Sequence, residues 1–302
     1  MTTFDSILCP VDFSEQSRRA LRLAGTLSER FDSRLAVLSV VNPLLAEAAK
    51  VRMGLDLAKE ETQPALSAFV KETWRDAPGA RDPRLLVRIG DAAEAIVETA
   101  ATDGVQLIVM GTQGLGGLRK WLLGSTAEHV LRRTRTPVLT VPATESDVSR
   151  DTRQPLGPGP VLAATDFSGS AALAVQYAAE FSLQTQVPLV LAHVVEPVIV
   201  PSRWAAYVDD SNEARVRGAA NRMKEIERNL PSGTRPAETV VVLGRPEEAI
   251  ARIGEERQAG LIVIGLAADD PPFGRRPGSI AYGVLSSAKV PVLVVPLTAD
   301  AG

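Results

Sequence analysis

Val11-Asp12-Phe13-Ser14 and Thr165-Asp166-Phe167-Ser168 are two occurrences of one motif, and the distance between them decides the fold. Asp12 and Asp166 stand 154 positions apart. The same shift carries Val40-Val41 onto Val194-Val195, Gly90 onto Gly244, and Glu94-Ala95-Ile96 onto Glu248-Ala249-Ile250. It carries Ile108-Val109 onto Ile262-Val263, Gly111 onto Gly265, Gly124-Ser125 onto Gly278-Ser279, and Pro137-Val138-Leu139 onto Pro291-Val292-Leu293. One constant shift over so many landmarks means two copies of one fold with almost no net insertion. The 302 residues then divide into two domains of ordinary size, 1–146 and 158–302. Between the copies, Ala143 to Pro160 is rich in Ser, Thr, Asp, Arg, Gly and Pro and reads as an exposed linker.

Each copy alternates short apolar runs with helical periodicity. In the first, Ser6–Val11 is a strand, and Ser14 opens a helix on which Ala20, Leu21, Ala24, Leu27 and Phe31 recur at helical spacing. Further strands are expected over Leu35–Val41, Leu85–Ile89, Val105–Met110 and Val138–Val141, with helices over Ala92–Ala101 and Thr126–Arg133. Leu44–Trp74 is helix-forming but broken by Gly54 and Pro64. The almost wholly apolar Val105–Met110 run suits a strand covered on both faces of its sheet. This alternation predicts an α/β fold, two tandem doubly wound domains, each with a mostly parallel five-stranded sheet.

Bulk properties exclude several classes. Hydrophobic residues make up 45% of the chain, enough for a core in each half. A formal net charge of -3 leaves no basic surface for nucleic acid or an anionic membrane. The segment Met1–Phe13 holds Asp5 and Asp12 and lacks the basic start and long apolar run of a secretory signal. No apolar run approaches a membrane span of roughly 18 residues. The single cysteine, Cys9, cannot form an internal disulfide and sits in an apolar run, which reads as a buried strand position. Cytoplasm is the expected location.

In doubly wound sheets, ligands bind beyond the carboxyl ends of strands whose helices leave for opposite faces. Asp12 follows the first strand. Gly111-Thr112-Gln113-Gly114 follows the fourth, and after nine intervening residues Gly124-Ser125-Thr126 opens a helix. Gly111, Gly114, Gly116 and Gly117 permit positive φ and close backbone approach to a ligand. Exposed amides in such a turn, and at the helix start, form an anion site. Ser125 and Glu128 also fit a capping box, a structural role compatible with phosphate contact. Arg119 and Lys120 can screen phosphate charge, or can simply be solvated loop cations. Asp12 suits a vicinal diol such as ribose; it equally suits a turn or N-cap ahead of Ser14. There is no Gly-x-x-x-x-Gly-Lys-Ser/Thr, and no Gly-x-Gly-x-x-Gly after the first strand, so neither a P-loop nor a dinucleotide site is expected.

Pro10-Val11-Asp12-Phe13-Ser14, taken with Gly-x2-Gly-x9-Gly-Ser at Gly111, Gly114, Gly124 and Ser125, resembles the ATP-binding pattern of the universal stress protein family. The Pro137–Pro142 strand is similar to that family's last strand, and the resemblance spans both copies. It implies the adenine nucleotide hydrolase-like fold of that family and a site for ATP, AMP or ADP, with Mg²⁺ as an accompanying ion. Pro10, Val11 and Asp12 would then flank adenosine, with Val40 near the adenine. Gly111, Gly114, Gly124, Ser125 and Thr126 would hold the phosphates. For Val40, plain core strand packing is the alternative reading. The resemblance also implies pairing through the last strands, Val138–Val141 and Val292–Val295, within one chain or in a homodimer.

The second copy departs from the pattern. Ala268 replaces the glycine equivalent to Gly114, and Asp269-Asp270-Pro271-Pro272 makes the spacer acidic and stiff. Arg275 and Arg276 act in the opposite sense, and Asp166 is retained. This second site is expected to be degenerate. No Cys/His cluster suggests zinc, no Gly-x-Ser-x-Gly elbow appears, and His129 and His193 read as packing or surface residues. A non-catalytic stress-response module is the leading expectation; a slow ATPase or adenylate-chemistry enzyme is the rival, and a module with two vestigial sites the third reading.

Overall fold

The structure, a computed structural model, describes residues 4–74, 82–112, 123–142, 156–198, 200, 205–234, 238–266 and 280–297. Two compact units result.

The first contains β1 (Ser6–Pro10), α1 (Glu15–Phe31), β2 (Arg34–Val41), α2 (Pro43–Met53), a π-helical turn (Leu57–Thr62), α3 (Gln63–Trp74), β3 (Arg84–Ile89), α4 (Ala92–Thr102), β4 (Leu107–Gly111), α5 (Ser125–Arg133) and β5 (Val138–Val141). Across the sheet the order is β3-β2-β1-β4-β5. Every neighbouring pair in it is parallel. Ile7, Leu8 and Cys9 in β1 and Leu107–Met110 in β4 are buried, as central strands covered by helices on both faces must be. α1 covers one face with Ala20, Leu21, Leu23, Ala24 and Leu27 and packs against α3, while α4 packs against α5. Right-handed crossovers put these two helix layers on opposite faces, because the chain leaves β1 toward β2 but leaves β4 toward β5. The crevice between β1 and β4 is therefore the topological switch point.

Helix ends follow local chemistry. Ser14 caps α1, its hydroxyl accepting from the Ser17 amide at 3.1 Å. Gly54 stops α2 in the left-handed region at φ 66. Pro64, expected as a break, lies one residue past the point where the π-helical turn gives way to α3.

The second unit repeats the plan with β6 (Val161–Ala164), α6 (Gly169–Thr185), β7 (Leu189–Val195), α7 (Ala205–Arg228), β8 (Glu238–Leu243), α8 (Pro246–Glu256), β9 (Leu261–Leu266), α9 (Ile280–Ser287) and β10 (Val292–Pro296). Its order, β8-β7-β6-β9-β10, is that of the first. Its neighbours are also parallel. Ser168 caps α6 as Ser14 caps α1. Left-handed Asp32 and Gln186, 154 positions apart, end the two helices.

Candidate functional site

β1 and β2 deliver the first group of residues. Pro10 lies opposite Leu38, and the Val11 amide donates to the Leu38 carbonyl at 2.8 Å. Val40 lies two residues further along β2, half-buried, opposite Arg88 of β3. Asp12 is half-buried just past β1. Its Oδ1 accepts from the Ser14 amide at 3.1 Å and the Ser14 hydroxyl at 2.5 Å. The turn role is thus built, and the N-cap role belongs to Ser14 rather than to Asp12.

Phe13, between them, has φ 64, and Phe167 in the second unit has φ 68. A bulky residue in the left-handed region costs roughly 1–2 kcal/mol. That both copies hold it at the same step, immediately after the aspartate, marks the turn as a fixed feature rather than an accident of one loop.

β4 delivers the second group. Gly111 pairs with Val141, and the Thr112 amide donates to the Val141 carbonyl at 3.1 Å. The Gly124 amide donates to the Thr112 carbonyl at 2.7 Å. That bond ties the two ends of the glycine segment together at the carboxyl end of β4. Residues 113–122, including Gly114, Gly116, Gly117, Arg119 and Lys120, lie outside the described residues.

Two expectations are corrected here. Gly111 ends β4 and is not among the positive-φ glycines. At the equivalent Gly265 an added Cβ would lie 2.4 Å from the backbone carbon of Ser170 in α6, so in the second half packing requires glycine at this position. The second correction concerns the capping box. α5 starts one residue earlier than expected, so Gly124 is its N-cap, with no side-chain cap bond, and Ser125 is the exposed first helical residue. Glu128 turns instead to Arg132 at 2.7 Å. Gly124 gives the first turn of α5 no side-chain cap, and the Ser125 and Thr126 hydroxyls lie beside it. Such a terminus suits a negative group, worth typically 0.3–1 kcal/mol.

In the second unit the Asp166 Oδ1 accepts from the Ser168 amide at 2.9 Å. The Ser168 hydroxyl instead meets Ser170 at 3.0 Å. His193 occupies the position of buried Ser39; its Nδ1 lies 2.7 Å from the Thr165 carbonyl and its ring 4.4 Å from that of Phe167. Sequence reading placed His193 near a strand end but gave no signal of this contact. Residues 267–279, with Ala268, Asp269–Pro272, Arg275, Arg276, Gly278 and Ser279, lie outside the described residues. His129 is exposed on α5. Cys9 is fully buried, and burial pushes its thiol far up, leaving no reactive thiolate. Among the described residues no group of three or more His, Cys, Asp or Glu could hold a metal ion, and no helix is long and apolar enough to cross a membrane.

The doubly wound α/β unit is made twice, and in the first half an aspartate turn after the first strand is accompanied by a helix after the fourth whose N-cap makes no side-chain bond. The chain belongs to the universal stress protein family, whose profile matches residues 3–142 and 159–296. A universal stress protein of Mycolicibacterium smegmatis is 25% identical over 295 residues, 96% of each chain. One of Methanocaldococcus jannaschii is 35% identical over 144 residues, covering 46% of this chain and 82% of its own. The crystal structure of a universal stress protein from Archaeoglobus fulgidus shares the fold, with TM-score 0.66 and 22% identity over 97% of this chain and 98% of that one.

Proposed function

We propose that this chain is an adenine-nucleotide-binding regulatory protein of the universal stress type, with its working site in the first half. ATP, AMP or ADP occupies the crevice between β1 and β4. Pro10, Val11 and Asp12 flank the nucleoside, with Asp12 on the ribose and Val40 beside the base. Gly111, Gly114, Gly124, Ser125 and Thr126 hold the phosphates, and Mg²⁺ accompanies a triphosphate. The observation that carries this reading is the uncapped start of α5, tied by the Gly124–Thr112 bond to the end of the strand beside β1. The second half, with its acidic spacer, is read as a degenerate copy. Binding rather than turnover is proposed because neither histidine is placed as a base there: His129 is exposed on α5, and His193 belongs to the other half. The nucleotide acts by ordering the glycine segment and so altering a surface that partners read in the cytoplasm. Self-association through the last strands belongs to the same reading, and sedimentation at several protein concentrations checks it.

The test is thermal denaturation with ATP and Mg²⁺ for the wild type, Asp12→Ala and Gly124→Asp. At a hundredfold excess over Kd, binding stabilises by about 2.7 kcal/mol. The wild type is expected to melt higher with ligand, Asp12→Ala by clearly less, and Gly124→Asp not at all. No shift in the wild type, or equal shifts in all three, counts against the site. Robust ATP consumption that fails in Asp12→Ala would favour the enzyme reading.

A further inference from the structure

The second half holds a cavity of about 340 Å³ between α6 and α7, on the helical face of the sheet. Phe167, Val175, Ile226 and Leu230 give it apolar walls. Arg222 and Glu225 add one charge of each sign from α7. Its size falls at the small end of ligand pockets, roughly 300–1,000 Å³.

In the first half a side chain bridges the same interhelical space. There Arg18 of α1 lies 4.4 Å over the Phe69 ring and donates to Thr73 and Glu72 of α3, each at 3.1 Å. At the constant shift, Arg18 becomes Ala172 and Phe69 becomes Met223. A long, bonded side chain and a ring have been exchanged for a methyl group and a flexible thioether, and the space between the helices is open. Arg222 reaches in from the opposite helix instead and lies 3.9 Å over Phe167.

Arg222 and Glu225 are one helical turn apart, the spacing at which opposite charges commonly pair. Among the described residues neither forms an ion pair within 4.0 Å, although the neighbouring Arg217 and Glu213 do, at 3.1 Å. Two separated opposite charges on one wall, above an apolar floor, complement a zwitterion with an apolar body. We infer that the α6–α7 cavity binds a free apolar α-amino acid, its carboxylate on Arg222, its ammonium on Glu225 and its side chain among Phe167, Val175, Ile226 and Leu230. This inference stands independently of nucleotide binding, since it uses no residue of the β1–β4 crevice.

Calorimetric titration of the full chain with L-phenylalanine tests it. Saturable binding at one site per chain is expected. Ala172→Arg, which installs the side chain found in the first half at an exposed helical position, should weaken it at least about tenfold. Glu225→Gln should weaken L-phenylalanine about tenfold but leave 3-phenylpropionate, which lacks the ammonium, nearly unchanged. Absence of saturable binding up to the solubility of the amino acid overturns the inference. So does L-phenylalanine binding that both variants retain, or equal loss of the two ligands in Glu225→Gln. The ATP-dependent melting shift, measured alongside, separates this result from that of the nucleotide site.

Discussion

Ser14 directs both its amide and its hydroxyl at a single oxygen of Asp12, at 3.1 and 2.5 Å. The aspartate therefore shapes the turn with Oδ1, and the turn in turn orients the carboxylate at the end of β1. On the proposed reading, structural and ligand roles are combined in one side chain. They can still be separated. Asp12→Asn keeps an oxygen for Ser14 and loses the charge; Asp12→Ala loses both. Without nucleotide, Asp12→Asn should melt close to wild type, while Asp12→Ala should lose about 1 kcal/mol. A charge-assisted bond to a ribose hydroxyl is worth about 1.5–3 kcal/mol, so both variants should bind ATP roughly ten- to hundredfold more weakly. Tight ATP binding by Asp12→Asn would remove the charge from the account of recognition.

Gly124 sits at the α5 N-cap with φ -63 and ψ 147, a conformation open to any residue. Glycine is thus not required there by the backbone, and it leaves the helix uncapped. Gly124→Asp supplies a cap and a favourable charge at the positive end of the dipole. The ligand-free protein should gain up to about 1 kcal/mol, seen as a higher melting temperature. The same carboxylate repels phosphate, so the melting shift with ATP should vanish. A helix made more stable and a ligand lost together would show that the open terminus is kept for an anion. Loss of stability in the ligand-free state would show that Gly124 is there for packing.

Phe13 is 39% exposed yet held at φ 64, with its ring edge-on to Phe69 at 5.5 Å between centroids. Replacing it separates ring packing from backbone strain. Both Phe13→Ala and Phe13→Gly lose the ring, but only glycine relieves the left-handed strain. Phe13→Gly should therefore be the more stable of the two by about 1 kcal/mol in chemical denaturation, against the usual entropic cost of glycine. If alanine proves the more stable, the turn relaxes and φ at this position does not constrain the site.

The repeat, the alternation of parallel strands with helices and most element boundaries of the first half were legible because burial imposes them on composition; the order of strands across the sheet was not read. A strand covered on both faces, such as Leu107–Met110, has no polar position to disguise it. The site was legible as a set of positions, not as a geometry. Nothing in Asp12-Phe13-Ser14 announces a left-handed phenylalanine, since propensity disfavours it and only the surrounding fold holds it. Gly111 was expected to permit positive φ and close approach to a ligand; its φ is not positive, and at its counterpart Gly265 the missing Cβ makes room for α6 instead. Spacing identifies a glycine but cannot tell what the missing Cβ would have met. The capping box failed for a similar reason: Ser125 and Glu128 have the right separation, but the start of α5 one residue earlier moves both out of register.

Arg84 and Asp103 meet at 2.9 Å, joining the start of β3 to the C-cap of α4. At the same two positions of the second half the charges are exchanged: Glu238 begins β8 and Arg257 caps α8, at 2.6 Å. The contact has survived with its signs reversed, so its geometry, not its polarity, is what the fold uses. The second arrangement is the better one, because a cation at a helix C-terminus also meets the negative end of the dipole. Hydrogen bonding from Arg257 holds the Glu238 carboxyl below the usual glutamate range, outweighing a small opposing effect of burial. A depressed folded-state pKa gives stability that is complete above the unfolded value, about 4.3, and is lost as pH falls through the folded one. Arg257→Gln should raise the Glu238 titration midpoint, read by carboxyl-carbon NMR. Because the pair is largely exposed, it should cost under about 1 kcal/mol at neutral pH. The difference from wild type should shrink as the solution is acidified below the glutamate range. In the first half, Arg84→Glu sets two carboxylates together, and adding Asp103→Arg should restore stability by recreating the second-half pair. If the double variant is no more stable than the single, the two contacts are not equivalent, and the exchange of signs is not the rule that links them.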